Sequence, residues 1–174
     1  AELGCLYLNL SGGEALLHPH LFDFIKRARN QNMEPRLKTN GVLLSEKKVA
    51  ELVSADLRGC DISLYGDNNQ TYERFTGLKD GWSRSTEGIK NLKRAPFSKN
   101  INIILHRHNV DELSGMIHFC QKNDLPFQIS TEVTERYDGS LGAREHEITP
   151  EQFEKLLLGE HGHFFMTNNK EKFG

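Results

Sequence analysis

The chain has 174 residues, 37% of them apolar, and its 22 basic and 24 acidic residues leave a formal charge of -2. That length suits one domain with its own core, and the charges are too well mixed to give the electrostatic footprint of a nucleic-acid or membrane-surface binder. No run of 18 apolar residues exists, and the start Ala1-Glu2-Leu3-Gly4 has neither a basic segment nor a signal-peptide core, so a cytoplasmic protein without a membrane span is expected. The lean apolar content fits a polar active-site rim or a piece of something larger.

Residues 5 to 10 read as a strand that breaks at Ser11-Gly12-Gly13-Glu14, and Pro19-His20 then open a helix to about Gln31, with Phe22, Ile25 and Ala28 at helical spacing. A second strand, Pro35 to Lys38, ends at Thr39-Asn40-Gly41, and Ser45 caps a helix carrying Val49, Ala50, Leu52 and Val53. Leu57 to Leu64 is a third strand, closing at Ser63-Leu64-Tyr65-Gly66, followed by a polar loop with a helical turn near Thr71 to Phe75. Trp82 packs where that loop meets a helix from Ser83 to Arg94. The fourth strand runs Ile101 to Leu105 into His106-Arg107-His108-Asn109, and the next helix starts at Asp111 with Leu113, Met116, Ile117 and Cys120 on one face. Leu125 to Ile129 is a fifth strand, ending in Ser130-Thr131-Glu132. A polar loop, Val133 to Glu147, precedes a helix launched by Thr149-Pro150-Glu151, and residues 159–174 read as a poorly ordered tail or linker.

Strands alternating with helices at this spacing imply an α/β fold of parallel strands joined by right-handed crossovers, as an open sheet or a full or partial barrel. Every strand ends, on its C-terminal side, in groups able to bind a ligand, and in such folds those ends converge on one rim. Gly12 and Gly13 let backbone N–H groups approach a ligand closely, and Glu14 sets one negative charge beside them. Taken alone, a double glycine after a strand is a plain turn, Asn40-Gly41 is a turn pair, and Ser63 is a strand-end cap. His106 and His108, two apart at a strand end, would share a face, a spacing that suits substrate contact, a structural role or a divalent metal. Cys5, Cys60 and Cys120 are odd in number and far apart, which gives neither a disulfide framework nor a paired metal motif; buried free thiols are expected.

Several short motifs fall in one register: Leu10-Ser11-Gly12-Gly13-Glu14 with Leu16-Leu17-His18-Pro19, Thr39-Asn40-Gly41, Asp61-Ile62-Ser63-Leu64-Tyr65-Gly66, and Thr71-Tyr72-Glu73-Arg74-Phe75-Thr76-Gly77. In that order and spacing, over residues 4 to 158, the chain resembles the central part of a radical S-adenosylmethionine (SAM) enzyme. Leu105 to Asp111 and Thr134 to Gly139 look like the peptide- and cofactor-maturing subgroup that carries a cysteine-rich SPASM extension. Ala15 stands where the family usually has proline, and Tyr65 where aspartate is common. The family's Cys-x3-Cys-x2-Cys loop, which holds a four-iron four-sulfur cluster, is not in this sequence, and Cys5 cannot stand in for three clustered thiolates.

The resemblance implies a partial TIM-like (β/α)6 barrel, with residues 1–158 as the core of a fragment lacking its N-terminal cluster loop. It implies SAM and a 4Fe-4S cluster with ligands outside this chain as cofactors, and a 5'-deoxyadenosyl radical that abstracts hydrogen from a peptide or small-molecule substrate. A reductase or flavodoxin-type electron donor would be the partner. Gly12, Gly13 and Glu14 would meet the methionyl amino group, Ser63 the ribose or carboxylate, and Arg74 the methionyl carboxylate through two parallel bonds. Thr39 and Asn40 would line the same cavity. Tyr65, His106, His108, Thr131, Glu132 and Arg136 are candidate substrate contacts. The alternatives are a TIM-like metallohydrolase with His106 and His108 as ligands and Glu14 or Glu132 as base, and a non-catalytic SAM-binding module.

Overall fold

The computed structural model describes residues 4–132 and 145–166. Five strands, β1 (Tyr7–Leu10), β2 (Glu34–Thr39), β3 (Gly59–Leu64), β4 (Ser98–Ile104) and β5 (Phe127–Ser130), form one sheet in chain order. Every neighbouring pair is parallel. The crossovers carry α1 (Leu21–Asn30), α2 (Glu46–Ser54), α3 (Asn69–Thr76) with α4 (Gly81–Leu92), and α5 (Leu113–Lys122); α6 (Pro150–Leu158) and α7 (His163–Met166) follow β5. Among the described residues this makes five strands of the barrel expected from the sequence, and no helix is long and apolar enough to cross a membrane.

Alternation along the strands divides the sheet into two unlike faces. Leu37, Cys60, Ile62, Leu64, Ile101, Ile103 and Leu105 are buried, in one core with Leu21 and Ile25 of α1, Leu52 of α2, Ile89 and Leu92 of α4, and Met116 and Ile117 of α5. Each such side chain contributes roughly 1.5–3 kcal/mol when removed from water. The other face carries Arg36, Lys38, Asp61, Ser63, Asn100, Asn102 and Gln128, which line an open cavity of about 340 Å³. The helices therefore shield the apolar face alone, and the polar side chains are left facing the concave side.

Local chemistry sets the helix ends. Ser45 Oγ accepts the Lys48 N–H at 3.3 Å and Asn68 Oδ1 the Thr71 N–H at 3.0 Å, and Thr149 with Gln152 forms a reciprocal capping box behind Pro150. Four expectations are corrected. The segment at 71–75 is two turns of helix, because Asn68 caps it and Gly77, at φ +70°, ends it. Trp82 lies inside α4, its ring edge-on to Phe119 at 5.2 Å. Residues 159–166 fold back: Phe164 of α7 sits 5.5 Å from Phe127 and Ser114 Oγ 2.8 Å from His161 Nε2. Cys60 and Cys120 are buried as free thiols, but Cys5, just before β1, is exposed. Most of the loop expected over 133–147, with Arg136, lies outside the described residues.

Candidate functional site

The turn after β1, the ends of β2 and β3 and the C-terminal turn of α3 enclose a cavity of about 410 Å³. Ser11, Gly12 and Gly13 form one wall, Lys38, Thr39 and Asn40 the floor from β2, Ser63 and Tyr65 the side from β3, and Phe75, Thr76 and Leu78 the far wall. Gly12 has φ +147°, a conformation open to glycine, and an added Cβ at Gly12 or Gly13 would meet nothing within 4 Å. Their backbone therefore faces open space, free to meet a ligand.

Glu14 stands behind this wall and is heavily engaged. Its carboxylate accepts the Leu16 N–H at 3.0 Å, capping the short 3-10 turn Ala15–Leu17, and the Asn40 N–H at 3.1 Å. The Thr39 hydroxyl donates to both of its oxygens, at 2.8 and 2.9 Å. One carboxylate thus ties the end of β1 to the end of β2. Gly41 N–H donates to Thr39 Oγ1 at 3.2 Å, Val42 N–H to Asn40 Oδ1 at 3.0 Å, and Ser85 and Tyr72 hydroxyls donate to the Asn40 carbonyl at 2.8 and 3.3 Å. The Thr39-Asn40-Gly41 turn is thereby fixed from α3 and α4 as well.

Helix α3, which supplies Phe75 and Thr76, is anchored at its start by Glu112. That carboxylate accepts the Asp67 N–H and the Asn68 side-chain amide, both at 2.9 Å, and the Thr71 hydroxyl. Burial and the neighbouring Glu112 charge push the Asp67 carboxyl above its usual range, against a bond from Asn68 that lowers it. Aromatic packing orients the far wall: Tyr65 lies edge-on to Tyr72 at 5.6 Å and tilted against Phe75 at 5.3 Å. Burial raises the Tyr65 phenol, so it is a neutral hydroxyl at physiological pH.

Of the residues the sequence singled out, Gly12, Gly13, Thr39, Asn40, Ser63 and Tyr65 meet at this cavity. Arg74 does not line it. It is exposed in the last turn of α3, where each residue turns about 100° from the next; Phe75 and Thr76 face the cavity, and the Arg74 charge is felt at His108 instead. His106 and His108 are not on a strand: β4 stops at Ile104 and both lie in the turn beyond. His106 is buried and stacked on Phe75 with ring centroids 3.9 Å apart. Its Nε2 donates to the Tyr65 carbonyl at 3.1 Å and its Nδ1 accepts the His108 N–H at 3.3 Å, which uses both nitrogens and fixes the tautomer. Desolvation lowers its pKa to about 4, so the ring is neutral. A ring so engaged offers nothing to a metal, and no group of three or more metal-ligating side chains occurs among the described residues. Thr131 and Glu132 follow β5 and do not line the cavity.

Sequence reasoning missed Lys38, Phe75, Thr76 and Leu78 as wall residues. It also missed the polar sheet face, although strict alternation in Arg36-Leu37-Lys38, Asp61-Ile62-Ser63 and Asn100-Ile101-Asn102 carried that signal.

Comparisons with known proteins give the chain's family and relatives. The profile of the Radical SAM superfamily matches residues 1–120. The chain is 27% identical over 171 residues to an AdoMet-dependent heme synthase of Methanosarcina barkeri, covering 98% of this chain and 47% of that protein. It is 33% identical over 122 residues to a PqqA peptide cyclase of Gluconobacter oxydans, covering 70% of this chain and 34% of the cyclase. The chain thus spans half or less of the length of these curated relatives. Among solved structures, native anSMEcpe with bound AdoMet and Kp18Cys peptide shares the fold at a TM-score of 0.67 and 18% identity, over 95% of this chain and 49% of that one.

Proposed function

This chain belongs to the radical SAM superfamily, and from that premise we propose that it is the SAM-binding core of an enzyme that abstracts hydrogen from a peptide or peptide-derived substrate. The observation that carries the reading is the cavity bounded by Ser11, Gly12 and Gly13, whose exposed backbone and polar floor suit an amino-acid moiety while Tyr65, Phe75 and Leu78 suit a flat base. When bound, the family's cofactor supplies hydrogen-atom abstraction; this chain's residues bind and orient it. Gly12 and Gly13 offer backbone groups to the methionyl end, Thr39 and Asn40 close the floor, and Ser63 donates to the ribose or carboxylate. Glu14 holds the turn that presents the glycines, its carboxylate being occupied by three donors.

The cysteines of this chain do not fit the family's iron–sulfur cluster. Cys60 in β3 and Cys120 in α5 are buried, which pushes both thiols up, Cys120 to about 12, and Cys5 stands apart from them before β1. A peptide substrate is supported by the named peptide cyclase relative and by the peptide complex among the fold's neighbours. An electron donor of the reductase or flavodoxin type belongs to the same reading.

Isothermal titration with SAM tests it. The chain binds SAM, and Gly13→Leu, which adds bulk where a Cβ meets nothing, weakens binding at least about tenfold while the thermal midpoint holds. Equal affinity in the variant, or no binding to the unaltered chain, contradicts the reading.

A further inference from the structure

We propose that the polar face of the sheet is a substrate subsite that recognises a carboxylate, with Lys38 as its cation, and that the substrate segment it takes is an acidic peptide. The inference rests on the peptide reading above. Barrel interiors of parallel α/β folds are normally filled by branched apolar side chains; here the corresponding face is polar and bounds a cavity of about 340 Å³ that shares Lys38 and Ser63 with the site at the strand ends.

The charges that line this cavity do not cancel. The Arg36 guanidinium lies across Gly59, where an added Cβ would sit 2.6 Å from Cζ, and donates to Asp61 Oδ1 at 3.0 Å and to Ser98 Oγ at 3.2 Å. Arg36 and Asp61 therefore neutralise each other. Lys38, one step along β2 on the same face, makes no hydrogen bond or ion pair among the described residues, so one positive charge is left over. The rest of the wall, Asn100, Asn102 and Gln128, is uncharged.

Asn102 adds a second requirement, because its Oδ1 is buried with no donor. A buried acceptor without a partner is costly, and a ligand N–H placed there removes the cost. A cation open to a charge-assisted bond and, two strands away on the same face, an acceptor awaiting an N–H together match an acidic side chain on a peptide backbone.

Two probe peptides, acetyl-Ala-Glu-Ala-amide and acetyl-Ala-Gln-Ala-amide, are titrated into the ¹⁵N-labelled chain with and without saturating S-adenosylhomocysteine. The glutamate peptide binds at least about fivefold more tightly and shifts the Lys38, Asn100 and Asn102 amides; Lys38→Gln abolishes the preference and Lys38→Arg keeps it. Equal affinities, binding of neither peptide, or a preference that survives Lys38→Gln overturns the subsite. So does a loss of S-adenosylhomocysteine affinity in Lys38→Gln as large as the loss for the peptide, which assigns the cation to the cofactor. Binding of S-adenosylhomocysteine without discrimination refutes the subsite alone, whereas failure of the unaltered chain to bind it refutes the functional reading.

Discussion

Glu14 shows how one carboxylate serves architecture before it serves a ligand. Its side chain takes two backbone N–H groups and one hydroxyl from residues 16, 39 and 40, joining two strand ends. Glutamine keeps the shape but has one acceptor oxygen where the carboxylate has two, so one partly buried donor is left unsatisfied. Glu14→Gln is expected to lower unfolding free energy by about 1–3 kcal/mol, read by urea denaturation, and to weaken SAM binding through the displaced turn. Weakened binding with unchanged stability would instead make Glu14 a direct ligand contact. The sequence offered Glu14 as a contact for the methionyl amino group, but its carboxylate stands behind the cavity wall with Thr39 and Asn40 as partners, some 25 residues away, and spacing along one chain does not report such a pairing.

At the scale of elements, the site depends on how α3 and α4 are seated. His106, beyond β4, stacks on Phe75 and donates to the Tyr65 carbonyl, so it couples the end of β4 to the cavity wall. Its folded pKa of about 4 lies below the ordinary histidine value of 6.5. The sign follows: above pH 6.5 both folded and unfolded states are neutral and the full stability is present. As pH falls from 6.5 toward 4 the unfolded chain takes up a proton the folded one refuses, and stability drops by up to about 3 kcal/mol. The difference between the unaltered chain and His106→Gln in acid denaturation isolates this contribution from the carboxylates; parallel pH profiles would contradict it. Helix α4 has its own tight point, since a Cβ on Gly88 would stand 2.1 Å from the Gly41 carbonyl oxygen. Backbone cannot give way cheaply there, so Gly88→Ala is expected to cost more than about 2 kcal/mol, with Asn40 and the cavity floor displaced; a thermal midpoint within a degree of the unaltered chain would show the helix free to shift.

Across the whole molecule, strand–helix alternation was legible because each crossover carries both a turn signal and an apolar stripe, and the five strands fall where those signals put them. The convergence of Gly12, Thr39 and Ser63 on one rim followed from parallel topology alone. What stayed hidden was set by rotation and packing: Arg74 and Phe75 are adjacent in sequence, yet only Phe75 faces the cavity. His106 reads as a strand-end ligand until its burial is known. The division of the sheet into an apolar face under helices and a polar concave face joins fold to function, for it leaves the strand ends and the open side free to hold ligands while the core supplies stability.

A titration of the ¹⁵N-labelled chain with SAM tests most directly the proposed binding of SAM in the cavity at the ends of β1, β2 and β3. Saturable shifts are expected at the amides of Gly12, Gly13, Asn40 and Ser63, with the groove between α2 and α4 unmoved. Shifts centred on that groove at Leu43, Lys48 and Glu87, or no saturable shift at Gly12 and Gly13, would contradict it.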